Sequence, residues 1–318
     1  MEFIGLLILF ITVELIYFKI ADKYNIIDKP NSRSSHTIVT IRGGGILFPI
    51  AISSAYFLGY ISWQVTIAVV LVAIISFVDD IKPLSQLPRF ASHVIGVGLV
   101  FFDLHLFSQA IWLLLIIFVL VIGWINAFNF MDGINGLTVL YSLITIVTFA
   151  FLPINQSSLS VLITMGISCV VFGLFNVRKK AKIFAGDVGS ISIALFLGFF
   201  MIKTILETGQ FGFILFFSVY GIDAVITNII RLIKKENIFQ PHRSYLYQYL
   251  ANEKGFSHVI VASFYAGIQA TINIMTVFMD NMGYLSLYVV GVILLLLTII
   301  YSTIRTNIVR QLSSKNVE

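Results

Sequence analysis

With 318 residues, 58% of them apolar and 11% charged, and a mean hydropathy of +0.99, the chain has more hydrophobic surface than a soluble core could bury. A water-soluble globular domain is excluded. The single cysteine, Cys169, lies in an apolar run, which excludes an internal disulfide framework and a cysteine metal site. Net charge +5 arises from basic residues in the short gaps between apolar runs, a pattern of membrane orientation and not of nucleic-acid binding.

The apolar runs are 3–20, 46–61, 64–78, 90–107, 110–125, 137–153, 159–176, 188–206, 211–230, 259–279 and 283–304. Each is close to the roughly 20 residues that a bilayer-spanning helix needs. They predict an all-α, polytopic integral membrane protein of about eleven transmembrane helices, folded as one domain over 1–318. The first run lacks a basic n-region and contains Glu14, so it reads as a retained helix and not as a signal peptide. The runs 46–61 and 64–78 are short, and merging them into one bent span would leave ten. Charge argues for eleven: 19 of the 20 Lys and Arg then fall on one face, with only Lys203 elsewhere. The positive-inside rule makes that face cytoplasmic, with the N-terminus outside and the C-terminus inside. The cytoplasmic segments, about 21–45, 79–89, 126–137, 177–188 and 231–258, hold nearly all the polar clusters.

The first cluster, PNSRSSHTIVTIRGGG (30–45), sets His36 and Arg42 before three glycines that open a span. Bare backbone there suits a phosphate, and a flexible loop with a tight turn explains it equally well. In FVDDIKPL (77–84), Asp79 and Asp80 sit at the inner end of a span, followed by Arg89 after a Pro-rich turn. Carboxylates at a helix C-terminus oppose the macrodipole, so chemistry is a better reason for them than capping. NAFNFMDGINGL (126–137) spaces Asn126 and Asn129, then Asp132 and Asn135, by three, which places them on one helical face if the helix persists. FAGDVGS (184–190) puts Asp187 between glycines before a span, a helix cap or an Mg²⁺ ligand. PHRSYLYQYL (241–250) brings His242 and Arg243 to the start of a short helix whose Tyr245 and Tyr249, and Leu246 and Leu250, would rest on the interface. Asp223, inside a span, is a further candidate by default, or else a partner of Arg231 or a cap.

Together and in this order, these five motifs resemble the polyprenyl-phosphate N-acetylhexosamine-1-phosphate transferases, the superfamily that includes phospho-N-acetylmuramoyl-pentapeptide transferase. The His-Arg-Ser and Pro-Asn-x-Arg-Ser-Ser-His forms are most similar to the bacterial branch that starts O-antigen and related surface polysaccharides. The resemblance implies attack of undecaprenyl phosphate on the β-phosphorus of a UDP-N-acetylhexosamine, assisted by Mg²⁺ (with Mn²⁺ as an alternative), in the bacterial inner membrane with the site facing the cytoplasm. It implies catalytic roles for Asp79, Asp80 and Asp132, and metal binding by Asp187 with help from Asp80. It implies substrate contacts for His36, Arg42, Arg89, Asn126, Asn129, Asn135, His242 and Arg243, and a homodimer. The chain departs from the pattern in three places. Asn135 replaces an acid associated with the uracil, Ile41 replaces a common proline and predicts a looser loop, and Tyr245 replaces a frequent histidine. The competing readings are a catalytically lapsed scaffold or lipid-binding homologue and, from another class, a transporter. The latter is disfavoured because the clusters lie at helix ends and not at the midplane.

Overall fold

The structure is a computed structural model that describes residues 1–30, 35–237 and 242–315. Residues 31–34 of the first motif and Pro241 of the last lie outside the described residues. Each of the eleven apolar runs is occupied by a helix. In chain order they are α1 (Glu2–Lys23), α2 (Leu47–Phe57), α3 (Trp63–Ile81), α4 (Gln86–Asp103), α5 (Ile111–Met131), α6 (Leu137–Phe151), α7 (Leu159–Asn176), α8 (Gly186–Thr208) and α9 (Ser218–Ile233). A three-residue helix, α10 (Leu246–Gln248), precedes α11 (His258–Asn281) and α12 (Leu287–Lys315). Among the described residues, eight of the apolar helices are long and apolar enough to cross a bilayer. Of the other three, α2 and α6 are short, and α4 carries Arg89, His93 and Asp103. The chain is an all-α, multi-pass membrane protein.

The two short runs are separate helices. α2 ends at Phe57, the chain reverses through Gly59 at φ +76°, and the Ser62 hydroxyl accepts the Val65 N–H at 3.4 Å to start α3. Both helices pack on α8, as do α5 and α6. α8 is apolar all round, with a run of wholly buried residues from Val188 to Leu197, as expected of a helix with no solvent or lipid face. α12 lies at the edge, its Leu295, Leu296, Ile299 and Ile300 exposed as on a lipid-facing surface.

The helix ends that carry the polar clusters meet at one end of the bundle. There the hairpin β1 (Ile27–Asp28) and β2 (Thr40–Ile41) is antiparallel, and Ile41 also bridges Ile183 in parallel. The lacing continues past the strand: Phe184 N–H donates to Ile41 O at 2.8 Å, Gly44 N–H to Phe184 O at 2.9 Å and Gly45 N–H to Ala185 O at 3.0 Å. Ile41 therefore sits in a ladder, and the looser loop expected from the missing proline is not found.

Candidate active site

The glycine run 43–45 serves the fold before it serves a ligand. A Cβ on Gly45 would stand 2.1 Å from Gly189 Cα, so only glycines allow the starts of α2 and α8 to touch there. The N–H groups of Gly44 and Gly45, read from sequence as phosphate donors, are spent on the 184–185 carbonyls. That reading is corrected.

What the lacing does is bring Arg42 beside the start of α8. Arg42 Nε lies 2.7 Å from Asp80 Oδ1, and Arg42 Nη2 lies 3.2 Å from Asp187 Oδ1. Arg89, on the first turn of α4, reaches Asp79 Oδ2 at 3.2 Å and Asp187 Oδ2 at 3.3 Å. The side chain of Asp80 is fully buried, and its two oxygens also accept the backbone N–H groups of Asp187 and Val188 at 3.0 Å each. Gly186, at φ +70°, is required for this approach, because a Cβ would meet Asp80 Oδ2 at 2.4 Å. Asp79 Oδ1 accepts the Leu84 N–H at 2.6 Å, which fixes the turn into α4. Asp80 thus accepts two donors on Oδ1 and one on Oδ2, which makes it the fastener between α3, α8 and Arg42.

A cavity of about 330 Å³ opens beside this network. Of the expected residues, His36, Arg42, Asn129, Asp132, Asn135 and Asp187 line it. Asp132 caps the end of α5 and accepts the Thr138 hydroxyl at 2.5 Å. Burial pushes its carboxyl up to about 6, against the pull of the Thr138 hydroxyl and with Asp187 adding to the rise. Asn129 accepts the Ser190 hydroxyl, and Asn135 donates to Arg178 O at 3.1 Å. His36 lies 3.9 Å from Asp28 and edge-on to Phe184. Gln248, His258 and Asn176 also line the cavity and were missed from sequence. Gln248 stands inside the quoted 241–250 motif, and the other two are polar residues at the ends of apolar runs, the signal used for the remaining clusters.

Three expected residues are placed elsewhere. Asn126 donates back to Ile122 O at 2.8 Å along its own helix. The 242–250 segment is not an interfacial helix: Tyr245, Leu246, Tyr247 and Gln248 are buried in protein, and a π-helical turn (Tyr249–Glu253) follows. His242 and Arg243 stand outside the cavity lining. The His242 ring packs on Tyr245 and its Nδ1 lies 2.7 Å from the Ser244 hydroxyl. Burial, then the Arg231 charge, pushes its imidazole down to about 4. Asp223 is a clamp. It accepts Leu246 N–H at 3.0 Å and the hydroxyls of Tyr265 and Tyr301 at 2.7 Å each, joining α9 to α10, α11 and α12.

The donor chemistry suits a hard divalent cation. Asp79, Asp80, Asp132 and Asp187 outnumber Arg42 and Arg89 by four to two, and Asp132 and Asp187 face the cavity. Among the described residues no three acidic, histidine or cysteine side chains form a metal cage.

The model of glycosyl transferase family 4 matches residues 62–205, from the start of α3 to late α8. This matched segment, just under half of the chain, is similar to that family. Phospho-N-acetylmuramoyl-pentapeptide-transferases of Streptococcus uberis and Streptococcus equi subsp. zooepidemicus are each 33% identical, over 157 and 165 residues. These matches cover 41% and 44% of this chain, and the chain spans about half the length of those relatives, 46% and 48%. A probable undecaprenyl-phosphate N-acetylglucosaminyl 1-phosphate transferase of Bacillus subtilis is 26% identical over 287 residues, covering 80% of this chain and 78% of the relative. Within the family match lie Asp79, Asp80, Arg89, Asn129, Asp132 and Asp187, whereas Arg42 and His36 precede it.

Proposed function

We propose that the chain is a phosphoglycosyltransferase that moves an N-acetylhexosamine 1-phosphate from a UDP-sugar to undecaprenyl phosphate, releasing UMP and starting a cell-surface polysaccharide such as O-antigen. The observation that carries this reading is the network of Asp79, Asp80, Asp187, Arg42 and Arg89 at the mouth of a polar cavity. Phosphoryl transfer asks an enzyme for alignment and charge neutralisation more than for covalent help. A lipid phosphate oxygen forms a bond to the β-phosphorus as the anhydride bond to UMP breaks. Arg42 and Arg89 face the charge on the phosphates. Asn129, Asn135 and Gln248 offer amides to the neutral parts of the donor. Asp79 is held by Leu84 N–H and Arg89, so it orients Arg89; a phosphate monoester with its second pKa near 6 needs little deprotonation at neutral pH.

Mg²⁺ would be held by Asp187 and Asp132, where it would offset charge on the phosphates as a Lewis acid. The site would face the cytoplasm of a bacterial inner membrane, with the N-terminus outside, in a homodimer. UDP-N-acetylglucosamine is the first donor to try, in line with the name of the Bacillus relative. The test is UMP release by purified protein with undecaprenyl phosphate, Mg²⁺ and a panel of UDP-N-acetylhexosamines. Release that requires lipid and metal supports the reading. Silence across the panel from folded protein moves the reading to a lapsed homologue that kept the frame.

A further inference from the structure

A second cavity, of about 280 Å³, lies at the opposite end of the bundle, between the α2–α3 turn, the end of α4, the start of α7 and the last turns of α8. It shares no residue with the first and takes no part in the proposed reaction. Lys203, the basic residue left over from the charge pattern, is in its wall. Sixteen residues along α8 from Asp187, it stands about 24 Å from the catalytic end, close to the thickness of a hydrocarbon core. A lysine at that depth can extend into headgroups or water. This one is folded inward, with 14% of its side chain exposed. Its ammonium donates to the Ser158 hydroxyl at 2.5 Å and lies 5.8 Å from the Phe200 ring centroid, with Glu207 loosely paired at 4.0 Å. Asp103 closes another side of the cavity and has no ion-pair partner among the described residues.

The lining is therefore of mixed sign: one ammonium beside a hydroxyl, and two carboxylates. A bare cation meets Lys203, and a purely anionic headgroup meets Asp103 and Glu207. A zwitterion satisfies both, with its phosphate on Lys203 and Ser158 and its ammonium on the carboxylates. Hydrogen bonding to carboxylates favours a primary ammonium over a quaternary one. Phe102 and Leu206, exposed beside Asp103 and Glu207, offer apolar surface for the chains below such a headgroup. The geometry points to a structural binding site for an aminophospholipid of the phosphatidylethanolamine type, in the leaflet opposite the catalytic cavity.

The test is native mass spectrometry of full-length, delipidated protein titrated with phosphatidylethanolamine, phosphatidylcholine or phosphatidylglycerol. Wild type is expected to take the ethanolamine lipid in preference to the other two. Lys203→Met, and separately the rim variant Asp103→Asn with Glu207→Gln, are each expected to weaken that binding about tenfold, the loss of one charge-assisted hydrogen bond. Lys235→Met, at the other end of the bundle, is expected to bind as wild type. Equal uptake of the three lipids, or unchanged uptake in the rim variant, overturns the assignment. The rim variant decides the matter if Lys203→Met does not fold.

Discussion

Replacing Asp80 by Asn separates fastening from chemistry at this site. The carboxylate accepts three donors: Arg42 Nε at 2.7 Å and the N–H groups of Asp187 and Val188 at 3.0 Å. An asparagine keeps one oxygen. Placed toward Arg42 and Asp187, it turns its NH₂ against the Val188 N–H, donor against donor. The lost charge assistance is worth about 1.5–3 kcal/mol, and an orphaned buried N–H costs about 1–3 more. Arg42 retains Asp187, and release of a buried carboxylate from desolvation offsets part of the loss, so the net cost is about 3 kcal/mol. For a chain of this size that is a fall in thermal midpoint of about 5 °C. Asp187→Asn is expected to behave differently. Arg42 keeps Asp80, Arg89 keeps Asp79, and one of three mutually repelling carboxylates is gone, so the midpoint stays within about 2 °C of wild type. Both variants are expected to lose UMP release. Dye-reported thermal unfolding in detergent, run beside the activity assay, reads both quantities. An unchanged midpoint for Asp80→Asn, or a larger fall for Asp187→Asn than for Asp80→Asn, refutes the assignment of Asp80 as the fastener.

Further outcomes follow from other residues. Gly45→Ala forces a methyl group into the α8 backbone at Gly189 and is expected to cost about 3 kcal/mol or more, read as loss of folded protein in size-exclusion chromatography. Asn135→Asp is expected to lower stability by about 1–3 kcal/mol, because the donor to Arg178 O becomes an acceptor facing a carbonyl; a rise in thermal midpoint would contradict this. His242 is held neutral by burial, its folded pKa of about 4 lying below the ordinary value near 6.5. Its contribution to stability is therefore complete above about 6.5 and lost as pH falls toward 4. A His242→Gln variant should flatten that part of a midpoint-versus-pH curve, and an unchanged slope would count against it. Tyr247→Phe removes the hydroxyl that donates to Phe130 O at 2.9 Å and is expected to cost about 1 kcal/mol by the same unfolding assay.

The spans were legible because lipid leaves an unambiguous signature: about 20 apolar residues, with basic ones at one set of ends. Even the doubtful pair before and after Gly59 was settled by charge, since Arg42 and Arg89 can meet the same Asp187 only if two helices lie between them. The acidic cluster stood out because carboxylates at a helix C-terminus oppose the macrodipole, although Asp79 also has a local use that sequence did not show, accepting the Leu84 N–H. Other parts depended on long-range pairing that no periodicity records. The glycines at 43–45 resemble an anion loop in sequence, but the N–H groups of Gly44 and Gly45 bond the 184–185 carbonyls, some 140 residues away. Asn126 shares a spacing with Asn129, but one extra turn of helix sends it back to Ile122 O. Asp223 was a candidate for chemistry because it lies inside a span, and the tyrosines that satisfy it come from α11 and α12, where sequence gives them no visible partner.

The lacing of residues 41–45 to 183–185 has one more consequence. Arg42 and Asp187 stand on two segments joined by main-chain hydrogen bonds and glycine contact, so one side of the cavity is a backbone-tied jaw. The facing jaw carries Gln248 and His258 and is held by side chains, chiefly Tyr247 on Phe130 O and Asp223 on the start of α10, with a π-turn behind it. Side-chain anchors yield before a backbone ladder does. In the proposed reaction, the side-chain anchors of 246–258 are therefore where the cavity would yield to a ligand, while Arg42 and Asp187 keep their register.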